Sequence, residues 1–369
     1  MKIVVVGGGV VGASALYFLA RAGAETVLVD AAHQGRATDA GAGIVAPWTS
    51  LRADDTAWLE LANAGARLYP DLVASLAADG ETETAYRRVG ALLVSTDPAE
   101  LDAAEPIVRA RAAPVPEAGP ISRLSPAQTR ALFPPLRHDL AAIHLAGGAR
   151  VDGRKLARAL RRAASRHGAV ERTGTAELVI AGGQARGVRC NGEMIGADAV
   201  IVAAGAWAPA IFAPLGVRLA VEPQRGQIVH LHLPCADTGA WPVVLPFASH
   251  YLLAFEASRV VVGATRETGA GFDYRATAAG VAEVLNNALS VAPGLAAAAL
   301  LETRIGFRPM SPGTRPLLGG VAGIAGLLIG NGMAASGLTL GPAAGKLLAQ
   351  AALGQETDLD LLPYDKLRA

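Results

Sequence analysis

The sequence predicts an α/β fold, with a doubly wound parallel sheet at its start and a mostly antiparallel sheet further on. Three observations lead there. Residues 3–6 are a short apolar, β-branched run followed at once by Gly7-Gly8-Gly9-Val10-Val11-Gly12. Residues 199–203 and 327–329 are further short apolar runs, as expected of strands buried on both faces. Between residues 217 and 264 the pattern changes to short strands separated by turns.

The first stretch is the most informative. Its glycines fit G-x-G-x-x-G between a strand and a helix over residues 13–22, with Gly23 suited to the helix C-terminus. Gly7 allows the tight turn, Gly9 lets a pyrophosphate approach the backbone, and Gly12 lets the helix pack on the sheet. The helix N-terminus offers free N–H groups to the phosphate. A second strand, residues 26–29, ends on Asp30, which can accept hydrogen bonds from a ribose and argues against a 2′-phosphate. This pattern predicts a bound dinucleotide but does not separate FAD from NAD. A secretory signal peptide competes for the same residues, through Lys2, the apolar run and Ala22-Gly23-Ala24. Its cleavage would leave a chain starting in the middle of a βαβ unit, so the dinucleotide reading is preferred.

Composition bounds the remaining classes. The 369 residues suffice for one large or two moderate domains. With 51% hydrophobic and 18% charged residues, the chain is compact and apolar. A net charge of +1 gives no reason to expect nucleic acid or an anionic membrane as a partner. Cys190 and Cys235 stand far apart in no metal-type spacing, which points to a reduced, cytoplasmic protein. No apolar run resembles an integral membrane segment; residues 197–216 come nearest and are broken by Gly205, Pro209 and Pro214.

The elements follow in order. Residues 35–50 are small and Gly/Ala-rich, suited to a backbone that comes close to a ligand. Helices are expected over 58–78 and 97–112, a strand over 89–94, and a Pro-rich linker over 114–120. Ser125 and Pro126 open a short helix. A strand at 143–145 and a turn at 147–153 lead to a helix over 155–167 with Asp152 as its cap. Residues 177–180 and 187–190 pair around Ala181-Gly182-Gly183. Strands are expected at 227–233, 243–246, 251–255 and 260–264, a helix at 277–289, and a strand again at 302–308. A last helix spans 342–353, with Pro342 near its first turn and Gly354 as its C-cap.

Taken in order, these motifs resemble the FAD-dependent D-amino acid oxidase superfamily, in its bacterial glycine oxidase, D-amino acid dehydrogenase and sarcosine oxidase-like branch. The stretches that carry the resemblance are 4–12 with Asp30, 36–47, 147–153, 200–207, 222–227, 262–265, 306–309 with 316–319, and 337–342. The series covers essentially the whole chain and is specific for the fold and for FAD, not for the substrate. It implies a discontinuous Rossmann-like FAD-binding domain over 1–85, 148–220 and 303–369. An interleaved substrate domain over 86–147 and 221–302 is built on the antiparallel sheet. By match, Gly7, Gly9, Val10, Val11, Gly12 and Asp30 hold the ADP half, and the backbone near Glu177 touches the adenine. Ala37, Thr38, Gly43 and Ile44, with Ala204, Gly205 and Trp207, flank the diphosphate and isoalloxazine. Met333, Ala334, Ala335, Ser336, Gly337, Leu338 and Thr339 lie along the pyrimidine edge of the flavin. Free N–H groups before the last helix suit the negative charge of a reduced flavin there.

Arg308 matches the family's arginine for the substrate carboxylate, a role that suits a planar, bidentate, always charged guanidinium. Tyr251 matches the tyrosine that shares the carboxylate. Arg304, four residues earlier on an extended chain, is a weaker candidate. His230 and His232 share a strand face, but no Asp, Glu or Cys cluster joins them, so no metal is expected. Neither cysteine matches a covalent flavin position, where Met310 and Ser311 stand, so FAD is expected to be noncovalent. Ala335 replaces the arginine of the glycine oxidase branch, which leaves glycine itself less certain as the substrate.

The implied reaction is oxidation of the C–N bond of glycine, a D-amino acid or an N-alkyl amino acid, with O2 or a quinone or other carrier as electron acceptor. The alternatives are a nicotinamide-dependent dehydrogenase, a flavin-binding subunit of a larger amino acid dehydrogenase complex, and a 2-hydroxy acid dehydrogenase. A homo-oligomer is compatible with each.

Overall fold

The computed structural model describes residues 1–50, 55–234, 236–313 and 315–365; Cys235 lies outside the described residues. A six-stranded sheet forms the first layer. Its centre is Lys2–Val6, flanked in parallel by Glu25–Asp30 and Ala199–Val202. Val170–Thr173 and Leu327–Asn331 extend it in parallel on either side, and Leu317–Gly320 closes one edge antiparallel. Ile3 and Val5 bury one face of this sheet against the helices Val10–Arg21, Gly153–Arg166 and Gly337–Ala352, while Val4 and Val6 pack on the other side against Phe212 and Ile329. That double burial is why the central strand reads as unbroken Val and Ile.

An eight-stranded sheet forms the second large layer. It is antiparallel except where Val243–Pro246 runs parallel to Ala91–Ser95. That pair joins the two chain segments expected to make the substrate domain. Its longest ladder pairs Glu222–His232 with Ala299–Met310, from Glu222 opposite Met310 to His232 opposite Ala299, with one register shift between His230 and Leu231. The expected domain boundary at 302/303 therefore falls inside one continuous strand, and the substrate-side sheet runs on to Met310.

The last helix differs from expectation. It spans Gly337–Ala352, so Pro342 lies inside it. A proline there has no N–H for the carbonyl of Leu338, one turn back. The hydroxyl of Tyr69, fully buried in Thr56–Ala78, donates to that carbonyl instead. The first helix likewise starts at Val10, directly after the glycine turn, rather than at residue 13. The predicted caps are present: Asp152 accepts from the N–H groups of Arg154 and Lys155, and Ser125 with Gln128 forms a reciprocal capping box.

Candidate active site

A cavity of about 570 Å³ is walled by residues of both large sheets. At one end, the strand Lys2–Val6 delivers Gly7, Gly9, Val10 and Val11 to the wall. Gly7 has φ +102°, and a Cβ there would meet the Ala203 carbonyl oxygen at 2.5 Å. Gly12 stays off the wall; a Cβ on it would fall on the Gly7 carbonyl, so it is a packing glycine. The N-cap Gly9 offers no side-chain cap and the first turn holds no acid. The N–H of Val10 donates to Thr38 Oγ1 at 2.9 Å, which ties the short helix Ala37–Ala40 to this end of the cavity. Asp30 lines the cavity too. Its carboxylate accepts from Arg36 Nη1 at 2.8 Å and Arg161 Nη1 at 3.5 Å, partners that sequence reasoning did not assign.

Glu177 is exposed and off the wall; Gly174, Thr175 and Ala176 stand there instead. The strand Ala176–Ala181 leaves the cavity as it begins. Gly43 and Ile44 line the wall, but the carbonyl of Gly43 accepts from the Val151 N–H at 2.8 Å. A Cβ on Gly43 would fall on the Val151 carbonyl, so a crossing backbone requires glycine there.

In the middle, Ala204, Gly205 and Trp207 form one side. Trp207 is stacked between His33, with ring centroids 4.8 Å apart, and Phe272 at 5.0 Å. Beside it lies the turn at Met333, Ala334, Ala335 and Ser336, followed by Gly337, Leu338 and Thr339 at the start of the last helix. Asn331 braces this turn, donating to the Gly205 carbonyl at 2.8 Å and accepting from the Gly332 N–H at 2.7 Å. Thr339 donates to the Ile44 carbonyl at 2.9 Å. The N-cap Ser336 of this helix makes no side-chain cap. Two helix N-termini therefore open onto the cavity, each able to favour a negatively charged group.

Arg308 and Tyr251 line the part of the wall built on the eight-stranded sheet, with Gly226, Ser249, Ala264 and Arg266. Arg308 Nη1 donates to the Thr265 carbonyl at 3.0 Å and to Gln224 Oε1, across the ladder, at 3.4 Å. A Cβ on Gly226 would lie 2.5 Å from Arg308 Nη2, and one on Gly263 would lie 2.7 Å from the Tyr251 hydroxyl. Bare glycines therefore make the space for both polar heads. Burial pushes the Tyr251 phenol above its ordinary value, opposed by the nearby Arg308 and Arg266 guanidinium groups, so it stays a protonated donor. Arg304 does not join them: it pairs with Glu302 at 2.6 Å, about 13 Å along the strand from Arg308. Ser311 turns its hydroxyl to the Arg315 carbonyl at 3.3 Å and is not on the wall. Arg266 was not singled out from the sequence, because nothing local distinguishes it from a surface arginine.

A family model described as DAO, FAD dependent oxidoreductase, matches residues 2–351. The structure of iminodiacetate oxidase from Chelativorans sp. BNC1 superposes with a TM-score of 0.96 and is 52% identical over 98% of each chain. An uncharacterized oxidoreductase, YurR, of Bacillus subtilis is 48% identical over 98% of this chain and 97% of its own. Glycine oxidase of Pseudomonas aeruginosa is 30% identical over 98% of each. With the fold, the glycine cradle and these similarities together, the chain belongs to the DAO family of FAD-dependent oxidoreductases.

Proposed function

We propose that this enzyme oxidises the C–N bond of a small amino acid, preferentially a secondary amine with an N-carboxymethyl or other N-alkyl arm. The observation that carries this reading is the placement of Arg308 and Tyr251 on the same cavity wall as the glycine cradle. Similarity to iminodiacetate oxidase and to glycine oxidase supports it and favours an amine over a 2-hydroxy acid.

The residues present fit FAD. Gly7, Gly9, Val10, Val11 and Asp30 would hold its ADP half, Thr38 and Gly205 would flank the diphosphate, and residues 333–339 would follow the pyrimidine edge. With no cysteine on the described part of the wall, noncovalent binding is assigned. Bound FAD supplies the two-electron oxidation of an amine to an imine, which water hydrolyses to a 2-oxo acid and the released amine.

The protein's share is orientation and charge. The Arg308 fork takes the substrate carboxylate, and its bond to the Thr265 carbonyl sets the plane of the guanidinium. The protonated Tyr251 hydroxyl donates to the same carboxylate. Ile228 and Ala264 give that part of the wall an apolar side that excludes water and strengthens these contacts. The substrate nitrogen must be neutral as the Cα–H bond breaks, because a protonated amine has no lone pair to form the imine. Dioxygen is the acceptor assigned, on the similarity to iminodiacetate oxidase, and the two widely spaced cysteines support a cytoplasmic reaction.

The test is anaerobic bleaching of the protein-bound flavin by glycine, N-methylglycine, iminodiacetate, D-alanine and lactate, followed by admission of air. Bleaching by the amino acids with fast reoxidation is expected. Bleaching by lactate alone would overturn the assignment.

A further inference from the structure

We propose that Arg266 reads a second anionic group on the substrate, so that the site selects amines with an acidic arm on each side of the nitrogen. This rests on the reading of Arg308 as the partner of the first carboxylate.

The placement comes first. Arg266 lines the same cavity as Arg308 and Tyr251, and it is exposed, which puts it at the mouth. It follows directly on Thr265, whose carbonyl accepts from Arg308 Nη1 at 3.0 Å. The two cationic side chains therefore belong to one joint of the wall. Both guanidinium groups also act on the Tyr251 phenol, which requires both to be near it.

The second point is pairing. The neighbouring carboxylate, Glu267, is already engaged: it accepts from Arg225 Nε at 3.0 Å, Gln227 Nε2 at 2.7 Å and Thr265 Oγ1 at 2.7 Å. Arg225 takes Asp273 as well, at 2.7 Å, and Arg275 shares that carboxylate at 2.9 Å. Among the described residues no carboxylate pairs with Arg266. The backbone on both sides of it, by contrast, is held: the Thr265 N–H donates to the Gln227 carbonyl at 3.2 Å. The Arg225 N–H donates to the Glu267 carbonyl at 3.1 Å, and the Glu267 N–H donates back at 2.9 Å. A fixed backbone carrying an unpaired guanidinium, beside a second cation at a cavity mouth, suits an incoming anion. With a whole-chain net charge of +1, the attraction is local rather than a property of the whole surface.

The experiment compares two substrates that differ in one arm. Iminodiacetate carries the second carboxylate; N-(2-hydroxyethyl)glycine carries a neutral arm of similar length. kcat/KM for each is measured in the wild-type holoenzyme and in Arg266→Gln, Arg266→Lys and Arg266→Glu, with flavin content and Tm checked for every variant. Arg266→Gln should lower kcat/KM for iminodiacetate roughly tenfold, the scale of one lost charge-assisted hydrogen bond, mainly through KM. It should leave the neutral-arm substrate within about twofold. Arg266→Lys should retain part of the preference, and Arg266→Glu should lose more than Arg266→Gln. Raising the salt concentration should erode the wild-type preference, since the mouth is screened. Equal losses on both substrates, or none on either, would overturn the role of Arg266 while leaving the Arg308 reading intact. Failure of every amine to bleach the flavin would overturn both.

Discussion

Arg308 can occupy its position only because Gly226 lacks a side chain, and this gives two linked expectations at the scale of single residues. Arg308→Ala loses the charge and both arms of the fork. Removing one partner of a desolvated charge pair costs about 2–5 kcal/mol. At about 1.4 kcal/mol per tenfold, kcat/KM for carboxylate substrates should fall roughly thirtyfold to several-thousandfold. Arg308→Lys should recover only part, as an ammonium lacks the fork. Gly226→Ala leaves Arg308 in the chain but places a methyl 2.5 Å from its Nη2, so the guanidinium must swing away. It should show a milder version of the same loss, with flavin content unchanged. Loss of FAD together with activity in either variant would make these residues structural. Asp30 is a separate case. Asp30→Ala should weaken FAD binding by about 1.5–3 kcal/mol, one charge-assisted contact. The fold should survive, because Arg36 keeps Asp39 and Arg161 keeps Glu171. An unchanged FAD dissociation constant in Asp30→Ala would remove this carboxylate from the ribose.

At the scale of elements, local periodicity decides what can be read in advance. The strand, glycine turn, helix and second strand of residues 2–30 were legible because each carries its own burial pattern. The strands Val170–Thr173 and Glu193–Gly196 were not: they are short and largely exposed, and exist only through their partners. Residues 222–226 look like a loop, with Pro223 and two charged residues. They are a strand because residues 306–310, far along the chain, pair with them. The same limit hid Arg266, whose unpaired state depends on Glu267 being taken by Arg225, 42 residues away. The misjudged start of the last helix has a comparable cause. Pro342 marks a helix start by its own chemistry, and only Tyr69, on another helix, makes it tolerable in the interior. Tyr69→Phe should leave the Leu338 carbonyl buried and unsatisfied, at a cost of about 1–3 kcal/mol. The Tm should drop by a few degrees with the visible flavin spectrum nearly unchanged. An unchanged Tm would show that this bond does not stabilise the helix.

For the whole molecule, the polar contacts between the sheet layers set a dependence on pH. His230, buried on Glu222–His232, has neither ring nitrogen hydrogen-bonded within the described residues. Around it stand Glu302 and Arg304 of the paired strand, Arg259 of the other neighbouring strand, and Asp152 at the start of Gly153–Arg166. Arg259 bridges to Asp152 at 3.1 Å and Arg154 to Glu302 at 3.6 Å, so the group joins the substrate-side sheet to a helix of the nucleotide-side layer. Burial first, and then Arg304, push the His230 imidazole down from 6.5 to about 3. Glu302 at 3.8 Å is thus a neighbour of a neutral ring, not its ion-pair partner. The unfolded chain binds a proton at this histidine below pH 6.5, and the folded chain does not until near pH 3. The stability contribution is therefore complete above pH 6.5 and is lost steadily as the pH falls towards 3. Burial lowers His144 and His250 in the same direction, so they add to the slope. Asp152 and Glu302 are held below their ordinary values, and their losses begin only at more acid pH. A comparison of pH 8 with pH 5 therefore isolates the histidines. His230→Leu removes a ring that makes no hydrogen bond here, so it should lose less Tm than wild type between those pH values. An equal or larger acid loss in His230→Leu would show that His230 is not what couples the joint between the layers to pH.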